Sequence, residues 1–294
     1  MKIGIVGNPR YEQLSGLLAR LASHSSAHGI TLCAEPALRD LWPTTWAPLE
    51  LDGDLPDLLM AFGGDGTLLR GAQMLGRHEV PILGINLGRV GFLTATTADH
   101  LDSALDSVVQ GDYKVEQRRK LESWIVDADG AKRKGELAVN DVVVHKTGNT
   151  RIIRIRLFVD GDEVGQYTLD GMIVATPAGS TAYTLSAGGP VLVPEVDALV
   201  VTAICPHTLS VRPLVVSGSS QVTLQVEPTR ATEIFVSYDG QLGEHVQPND
   251  CVVVRSSATS VHLVRLGKEG FFRRMRKKLH WGDLADRERL NSAD

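Results

Sequence analysis

The sequence is poor in cysteine. Its three cysteines among 294 residues, Cys33, Cys205 and Cys251, lie far apart and form no C-x-x-C pair or Cys/His cluster. They therefore indicate neither a zinc site nor a redox pair. Scattered thiols of this kind are typical of a reducing compartment, and we expect a cytoplasmic protein.

Excess positive charge and long apolar runs are also missing. The formal net charge is −5, which argues against a general nucleic-acid binder, because such proteins carry a basic field. No stretch approaches the roughly 18 apolar residues of a membrane-spanning helix. The apolar run before Asn8 is too short for the core of a signal peptide. We expect neither a nucleic acid nor a membrane as partner.

A P-loop signature, G-x-x-x-x-G-K-[ST], is absent, but another glycine loop is present at Gly63–Thr67. It follows an apolar, strand-like run at Leu58–Phe62 and precedes a helical pattern that ends near Gly76. Three glycines around Asp65 allow positive φ angles and close approach of a ligand. Phosphate oxygens in a nest of N–H groups, with Asp65 facing a hydroxyl, would suit phosphoryl transfer. The alternative is that Asp65 only caps the helix or holds a turn.

A second loop lies within Asp170–Pro190, which reads DGMIVATPAGSTAYTLSAGGP. An apolar strand is followed by Pro177 and then by a short helical pattern that Ser180 or Thr181 can cap. Free N–H groups at such a helix start favour anions. The alternative is a tight strand-to-helix turn without a ligand.

The two halves of the chain differ in the order of their predicted helices and strands. Up to about residue 115, strand and helix patterns alternate, which predicts an N-terminal Rossmann-like α/β domain over 1–118. The stretch from Glu35 to Pro56 predicts an irregular connection. A β-rich, sandwich-like C-terminal domain is expected over 119–266, and a helical tail over 267–294, where Phe271–Lys278 has five basic residues. We expect a solvated helix here that packs Phe271, Phe272 and Leu279 onto the body, and the alternative for this basic segment is contact with a membrane or a nucleic acid.

The predicted strands of the second half share short, β-branched apolar runs. They are Trp124–Asp127, Leu137–His145, Ile152–Val159, Val200–Ile204, Val222–Val226, Ile234–Ser237, Val252–Val254 and Val261–Arg265.

Taken together, six motifs make the chain resemble the NAD kinases, which phosphorylate the 2′-hydroxyl on the adenosine side of NAD to make NADP. In chain order the motifs are GGDGT at Gly63–Thr67, NLGRVGFL at Asn86–Leu93, Asn140-Asp141, the Asp170–Pro190 segment, CPHTLSVRPLVV at Cys205–Val216, and DGQ at Asp239–Gln241. GGDGT alone also occurs in lipid kinases and phosphofructokinases, whereas the long central motif is far more specific.

The resemblance implies a role for each matching residue. Asp65 would be the catalytic proton acceptor for the ribose hydroxyl, and Tyr183 a stacking surface. The implied phosphate loop is Gly63, Gly64, Gly66 and Thr67. The implied substrate-binding residues are Asp65, Gly66, Arg70, Asn140, Asp141, Arg151, Thr168, Asp170, Thr181, Ala182, Tyr183, Thr184, Leu185, Ser186 and Gln241.

Several of these residues have plainer interpretations. Arg70 and Arg151 can simply face solvent, and Asn140 can be a turn residue. Neither His145 nor His207 has a nucleophile nearby in sequence, so we expect no acid–base role for them.

The resemblance also implies ATP as phosphoryl donor with a divalent ion, most simply Mg²⁺ carried by the nucleotide, and a homodimer or homotetramer. The departures from the family pattern are Asp141 for the more usual Glu, Ala178 for a threonine, Thr168 for an arginine found in some relatives, and Val211 for a polar residue. Polyphosphate as donor and NADH as acceptor stay open. The rival interpretations are a diacylglycerol-type lipid kinase and a dinucleotide sensor without turnover.

Overall fold

The computed structural model describes residues 1–88, 91–147, 152–228, 233–267 and 269–281, without the side chain of Leu242. The strands in these ranges are β1 (Lys2–Gly7), β2 (Thr31–Ala34), β3 (Leu58–Gly63), β4 (Ile82–Asn86), β5 (Thr96–Thr97), β6 (Lys114–Val126), β7 (Lys132–Ala138), β8 (Asp141–Lys146), β9 (Ile153–Val159), β10 (Asp162–Leu169), β11 (Gly171–Ala175), β12 (Ala198–Ile204), β13 (Leu214–Ser217), β14 (Val222–Val226), β15 (Ile234–Tyr238), β16 (Gln241–Val246) and β17 (Cys251–Arg265). The α-helices are α1 (Leu14–Ala27), α2 (Asp65–Leu75), α3 (Leu101–Gln110), α4 (Tyr183–Ser186) and α5 (Phe271–Leu279), with short 3₁₀ turns at Pro36–Leu41, Ala98–His100 and Gly179–Thr181. None of the helices described is both long and apolar enough to cross a membrane.

The chain folds into two compact units. Unit 1 comprises the described residues within 1–71, 80–116 and 262–281. Its parallel strands lie in the order β2-β1-β3-β4, and the end of β17 pairs with β4 through Leu263 and Ile82. Apolar side chains of α1 and α3, such as Leu18 and Leu105, form one buried core with the sheet. The predicted N-terminal α/β architecture is confirmed.

Unit 2 comprises residues 72–79 and 117–261 and is dominated by antiparallel strands. One sheet has the order β13-β12-β11-β8-β15-β16, and a second group contains β10-β9-β14 and the first part of β17. Alternate residues of both groups, including Val142, Val201 and Leu224, share a single buried core. The predicted β-rich C-terminal half is therefore confirmed.

Several element boundaries differ from those predicted. The run Leu137–His145 is two strands, because the chain bends at Val139 and Asn140, where its N–H groups bind the carboxylate of Asp239. The runs predicted at 252–254 and 261–265 belong to one long strand, β17. Strands β10 and β16 and the first part of β7 were not predicted, since polar residues interrupt their apolar pattern. Strand β13 was also missed, although its sequence LVVS is mostly apolar.

The observed division into two units differs from the predicted division into three consecutive domains. The boundary predicted after residue 118 lies beside the observed one between Glu116 and Gln117. The described part of the tail predicted over 267–294, residues 267 and 269–281, belongs to unit 1, because β17 carries the chain back to β4. In the stretch 35–56, predicted to be irregular, the 3₁₀ turn at Pro36–Leu41 is the described helical element.

Candidate functional site

The glycine loop Gly63–Thr67, called the Asp65 loop below, lies in unit 1 where two neighbouring parallel strands end. Strands β3 and β4 pair up to Gly63 and Asn86, and the N–H of Leu87 donates to the carbonyl of Gly63 over 3.1 Å. The loops that follow both strands therefore leave the sheet at its carboxyl edge, which is where α/β folds place their ligands.

The Asp65 carboxylate accepts hydrogen bonds from the backbone of the loop that follows β4. Oδ2 accepts the N–H of Phe92 at 2.7 Å, while Oδ1 accepts those of Leu93 at 3.0 Å and Thr94 at 3.2 Å. A Cβ atom on Gly91 would overlap this carboxylate, so glycine is needed there. The side chain of Asp65 remains 23% exposed. The carboxylate is thus oriented and still accessible to a ligand.

The glycines of the Asp65 loop work differently from the prediction. Gly63, Gly64 and Gly66 all avoid positive φ, because helix α2 begins directly at Asp65. Gly63 is required since a Cβ would overlap the buried side chain of Thr67. Added Cβ atoms at Gly64 and Gly66 would meet no atom within 4 Å, which leaves open space beside the loop.

Arg70 is engaged by the protein itself. Its guanidinium forms two contacts with the Glu35 carboxylate, which is 4% exposed, and donates to the carbonyl of Gly7 over 2.8 Å. The hydrogen bond to Glu35 raises the pKa of Arg70. A contact of Arg70 with substrate remains a prediction.

A residue that the sequence did not single out also reaches the Asp65 loop. Helix α5 places the ammonium group of Lys278 3.4 Å from Asp65 Oδ2 and 4.7 Å from the ring centroid of Phe92. Phe271 packs against Phe92, as predicted for a helix packed onto the body, but Phe272 is 63% exposed, contrary to prediction.

The Asn140 pocket of unit 2 is a cleft of about 300 Å³. Its lining residues are Asn140, Asp141, Val143, His145, Ala182, Tyr183, Ser237, Asp239 and Gly240. Asp141, Val143 and His145 alternate along β8 and therefore share one face of the strand. That alternation is the signal by which His145 could have been recognised as a pocket residue.

Two loops hold the Asn140 backbone in place. The carboxylate of Asp239 accepts the N–H groups of Val139, Asn140 and Asp141 at 2.8, 2.6 and 3.1 Å. Thr176 donates its N–H to the carbonyl of Asn140 over 2.9 Å. Gly179 lies so close to this carbonyl that a Cβ would overlap it. The start of β8 is thus fixed from both sides.

The polar groups of the Asn140 pocket are well placed to bind a ligand. The Oδ1 atom of Asn140 is buried and has no hydrogen-bond partner in the described part of the chain. Burial, and then the charge of Asp239, raise the pKa of Asp141 to about 7. Burial also raises the pKa of Asp239 against the effect of its three N–H donors. Buried unpartnered acceptors are rare, so a ligand donor is expected here.

The Thr181–Ser186 segment is less regular than predicted. The capping prediction is wrong: α4 has Ala182 at its N-cap and no side-chain cap, because the Ser180 and Thr181 hydroxyls donate to the carbonyls of Pro177 and Ala178. Only four residues form α4, which is too short for an anion site at its start. Tyr183 is 46% exposed at the pocket mouth.

The other predicted site residues lie beside the pocket or away from its lining. Thr184 is buried, Leu185 is half-buried and Ser186 is exposed. The carboxylate of Asp170 pairs with Lys146 Nζ at 2.7 Å, and the carbonyl of half-buried Thr168 accepts the N–H of His207. Gln241 is exposed at the start of β16. Arg151 lies outside the described residues.

Comparison with known proteins agrees with both halves of the chain. Residues 3–113 match the ATP-NAD kinase N-terminal domain, and residues 139–266 match the ATP-NAD kinase C-terminal domain. The chain is 40% identical to an NAD kinase of Gemmatimonas aurantiaca over 289 residues, which cover 98% of this chain and 99% of the relative. An NAD kinase of Heliobacterium modesticaldum is 43% identical over 226 residues, covering 77% and 79% of the two chains.

Solved structures show the same similarity. Yeast NADH kinase complexed with NADH has a TM-score of 0.88 at 25% identity, with 96% of this chain and 88% of that chain covered. An NAD kinase from Archaeoglobus fulgidus in complex with ATP has a TM-score of 0.74 at 27% identity, with 95% and 99% covered. Because the similarity to named relatives extends over nearly the whole sequence, the chain belongs to the ATP-NAD kinase family.

Proposed function

We propose that the protein transfers the terminal phosphoryl group of ATP to the 2′-hydroxyl of the adenosine ribose of NAD, which yields NADP and ADP. The observation that carries this assignment is the Asp65 carboxylate, fixed by three N–H groups yet partly exposed beside open space. Membership of the ATP-NAD kinase family supports it.

Asp65 accepts the proton of the ribose hydroxyl as the oxygen attacks the γ-phosphorus. A carboxylate is a weak base for an alcohol, but in a loose phosphoryl-transfer transition state the proton leaves late, so orientation counts more than basicity. The hydrogen bonds from Phe92, Leu93 and Thr94 supply that orientation. General-base assistance of this type contributes about 10²–10⁴-fold.

The Asn140 pocket binds the dinucleotide. The unpartnered Oδ1 of Asn140 accepts an N–H or O–H of the ligand, Asp141 provides a second polar contact, and the exposed ring of Tyr183 offers a stacking surface. Thr168, Asp170, Gln241 and Arg151 keep the substrate-binding roles that the resemblance implies.

Mg²⁺ enters with the nucleotide. Among the described residues, no group of three His, Cys, Asp or Glu ligand atoms converges at Asp65. This fits a Mg²⁺ ion that is bound mainly by triphosphate oxygens and water. When bound, the ion neutralises the charge of the phosphates during transfer.

The donor and acceptor are tested together in one activity matrix. Purified protein is incubated with Mg²⁺ and either ATP or polyphosphate, against NAD, NADH or diacylglycerol. We expect turnover with ATP and NAD. Because a similar structure is an NADH kinase, the NADH column decides the acceptor preference. Phosphorylation of the lipid alone would refute the proposal.

The role of Asp65 is tested by Asp65→Asn. The amide keeps one oxygen acceptor for the backbone of the neighbouring loop but cannot take up a proton. We expect kcat to fall by about 10²–10⁴-fold with nearly unchanged NAD affinity in calorimetry. An unchanged kcat would show that Asp65 is not the base, and binding of NADP with no turnover by the unmodified protein would favour a sensor.

We further propose a cytoplasmic homodimer or homotetramer. Exposed apolar side chains of unit 2 support self-association, among them Leu209, which is 90% exposed, and Val215 on β13, the edge strand of its sheet. Light scattering over a range of protein concentrations tests this, and a monomer at all concentrations would contradict it.

A further inference from the structure

A cluster of two histidines and one aspartate joins α1 and α3 in unit 1 and shares no residue with the Asp65 loop. His24 lies in α1 and His28 directly follows that helix, one turn later, while Asp106 lies in α3. One potential ligand atom from each residue lies within 4.8 Å of the other two. Residues four apart on a helix project on the same side, so the two imidazoles face Asp106 together.

The Nδ1 atom of the His28 ring is bound by the backbone of the preceding helical turn. This atom lies 2.9 Å from the carbonyl oxygen of His24. A carbonyl can only accept, so Nδ1 carries the proton and Nε2 keeps its lone pair. Metal-binding histidines commonly donate their second ring N–H to a backbone carbonyl in this way. In the structure the two rings stack, with centroids 4.4 Å apart and planes 20° apart, so the ring of His28 must rotate out of the stack before both imidazole nitrogens can face one ion.

The Nε2 atom of His24 makes no hydrogen bond within the described ranges. It is buried, and Asp106 Oδ1 lies 3.4 Å away. Buried polar atoms are nearly always paired with protein, water or an ion. Asp106 is 52% exposed and His28 is exposed, so two of the three ligand side chains face solvent and can move to admit an ion to this buried nitrogen.

We propose that His24, His28 and Asp106 bind one divalent transition-metal ion of the zinc type, with water completing the coordination. Two imidazole nitrogens and one carboxylate oxygen suit Zn²⁺, Co²⁺ or Ni²⁺, whereas Mg²⁺ prefers oxygen ligands. Bonds of about 2.0–2.2 Å draw the ligand atoms closer together, and this requires rotation of the exposed side chains of His28 and Asp106.

The ion ties α1 to α3. One turn earlier, the same helices are joined by Arg20 and Asp102, whose Nη2 and Oδ2 atoms lie 2.7 Å apart. This pair offers no metal ligand set, so it provides a matched control for the loss of a bridge between the helices.

The test uses the full-length chain without a histidine tag. Zn²⁺ is titrated by calorimetry, and Co²⁺ by visible absorption, into the unmodified protein and the variants His28→Gln, Asp106→Asn and Arg20→Gln. We expect one ion per chain for the unmodified protein and for Arg20→Gln, and at least tenfold weaker binding in the other two. Saturating Zn²⁺ raises Tm by about 5 °C only where the site is intact.

The outcome does not depend on kinase activity, so the site and the proposed function can fail separately. His28 and Asp106 are surface residues, and circular dichroism verifies the fold of each variant. Absence of saturable binding would overturn the proposal, as would an equal affinity of His28→Gln and the unmodified protein, which would locate the ion elsewhere.

Discussion

The ammonium group of Lys278 lies 3.4 Å from the Oδ2 atom of Asp65, although 213 residues separate the two in sequence. The same ammonium lies over the ring of Phe92, whose N–H donates to that oxygen. Both charged side chains are partly exposed, at 37% and 23%. A cation therefore stands beside the proposed proton acceptor, where a phosphoryl group would arrive.

Lys278→Met removes this charge while keeping a side chain of similar length. We expect kcat/KM for ATP to fall by about tenfold, since a positive charge near the transferring phosphate stabilises the charge of the transition state. Exposed ion pairs contribute about 0–1 kcal/mol, so Tm should change little. Steady-state kinetics with varied ATP measure the effect.

Two further variants make this result interpretable. Lys278→Arg keeps the charge and should restore most of the activity. Lys277→Met removes the neighbouring cation, which pairs with Glu269 instead of Asp65. An equal loss in Lys277→Met and Lys278→Met would mean that α5 acts only through its overall charge.

Gly91→Ala should damage the Asp65 loop. The new methyl group would overlap the Asp65 carboxylate, so the carboxylate must move away from its three N–H donors. We expect a clear loss of kcat and a destabilisation of about 1–3 kcal/mol, measured by urea unfolding. Gly16→Ala is the control, because its methyl group meets no atom within 4 Å. Full activity of Gly91→Ala would show that the orientation of Asp65 is unimportant.

The raised pKa of Asp141 predicts a pH-dependent stability. Burial and the charge of Asp239 bring this pKa to about 7, while the pKa of an unfolded aspartate is about 3.9. The stabilisation due to the bound proton is complete below pH 4 and is lost as the pH rises to 7. Between pH 5 and pH 8, Asp141→Asn should therefore gain about 3 kcal/mol over the unmodified protein.

Urea unfolding at both pH values measures this difference. Asp129→Asn, at an exposed turn position, is the control variant for the same change of side chain at the surface. The prediction fails if the free energies of unfolding of Asp141→Asn and the unmodified protein differ by the same amount at pH 5 and pH 8. Asp141 would then be ionised over this whole range.

Glu35→Gln tests the buried ion pair of unit 1. Glu35 accepts the N–H of Gly7 at 2.7 Å and binds both terminal nitrogens of Arg70. Glu35 is buried but the side chain of Arg70 is 35% exposed, so water compensates part of the charge left behind, and we expect the free energy of unfolding to fall by about 1–3 kcal/mol. Thermal and urea unfolding measure it, with the exposed Glu12→Gln as control. A loss below 1 kcal/mol would show that water screens Arg70.

The sequence predicts those parts of the site that lie in short, continuous segments. Asp65 stands out because glycines surround it, and Asn140 because it precedes an apolar strand. Contacts between distant segments leave no such pattern in the sequence. The residues around Lys278 give no sign of its contact with Asp65. Likewise, the residues before Asp239 give no sign that its carboxylate binds the N–H groups of Val139 and Asn140, where strand β7 ends. The split of the run 137–145 follows from that tertiary contact, which overrides the β propensity of the run.

Strand β17 returns the chain from unit 2 to unit 1, which also contains the N-terminal residues. During synthesis, β1 to β4 and the Asp65 loop leave the ribosome first, whereas Leu263 and Lys278 follow only after residues 117–261 of unit 2. Domains tend to fold as units as they emerge, but unit 1 lacks its final strand and helix until then. A product terminated within unit 2 would therefore carry the glycine loop without the end of strand β17 and without the lysine beside Asp65.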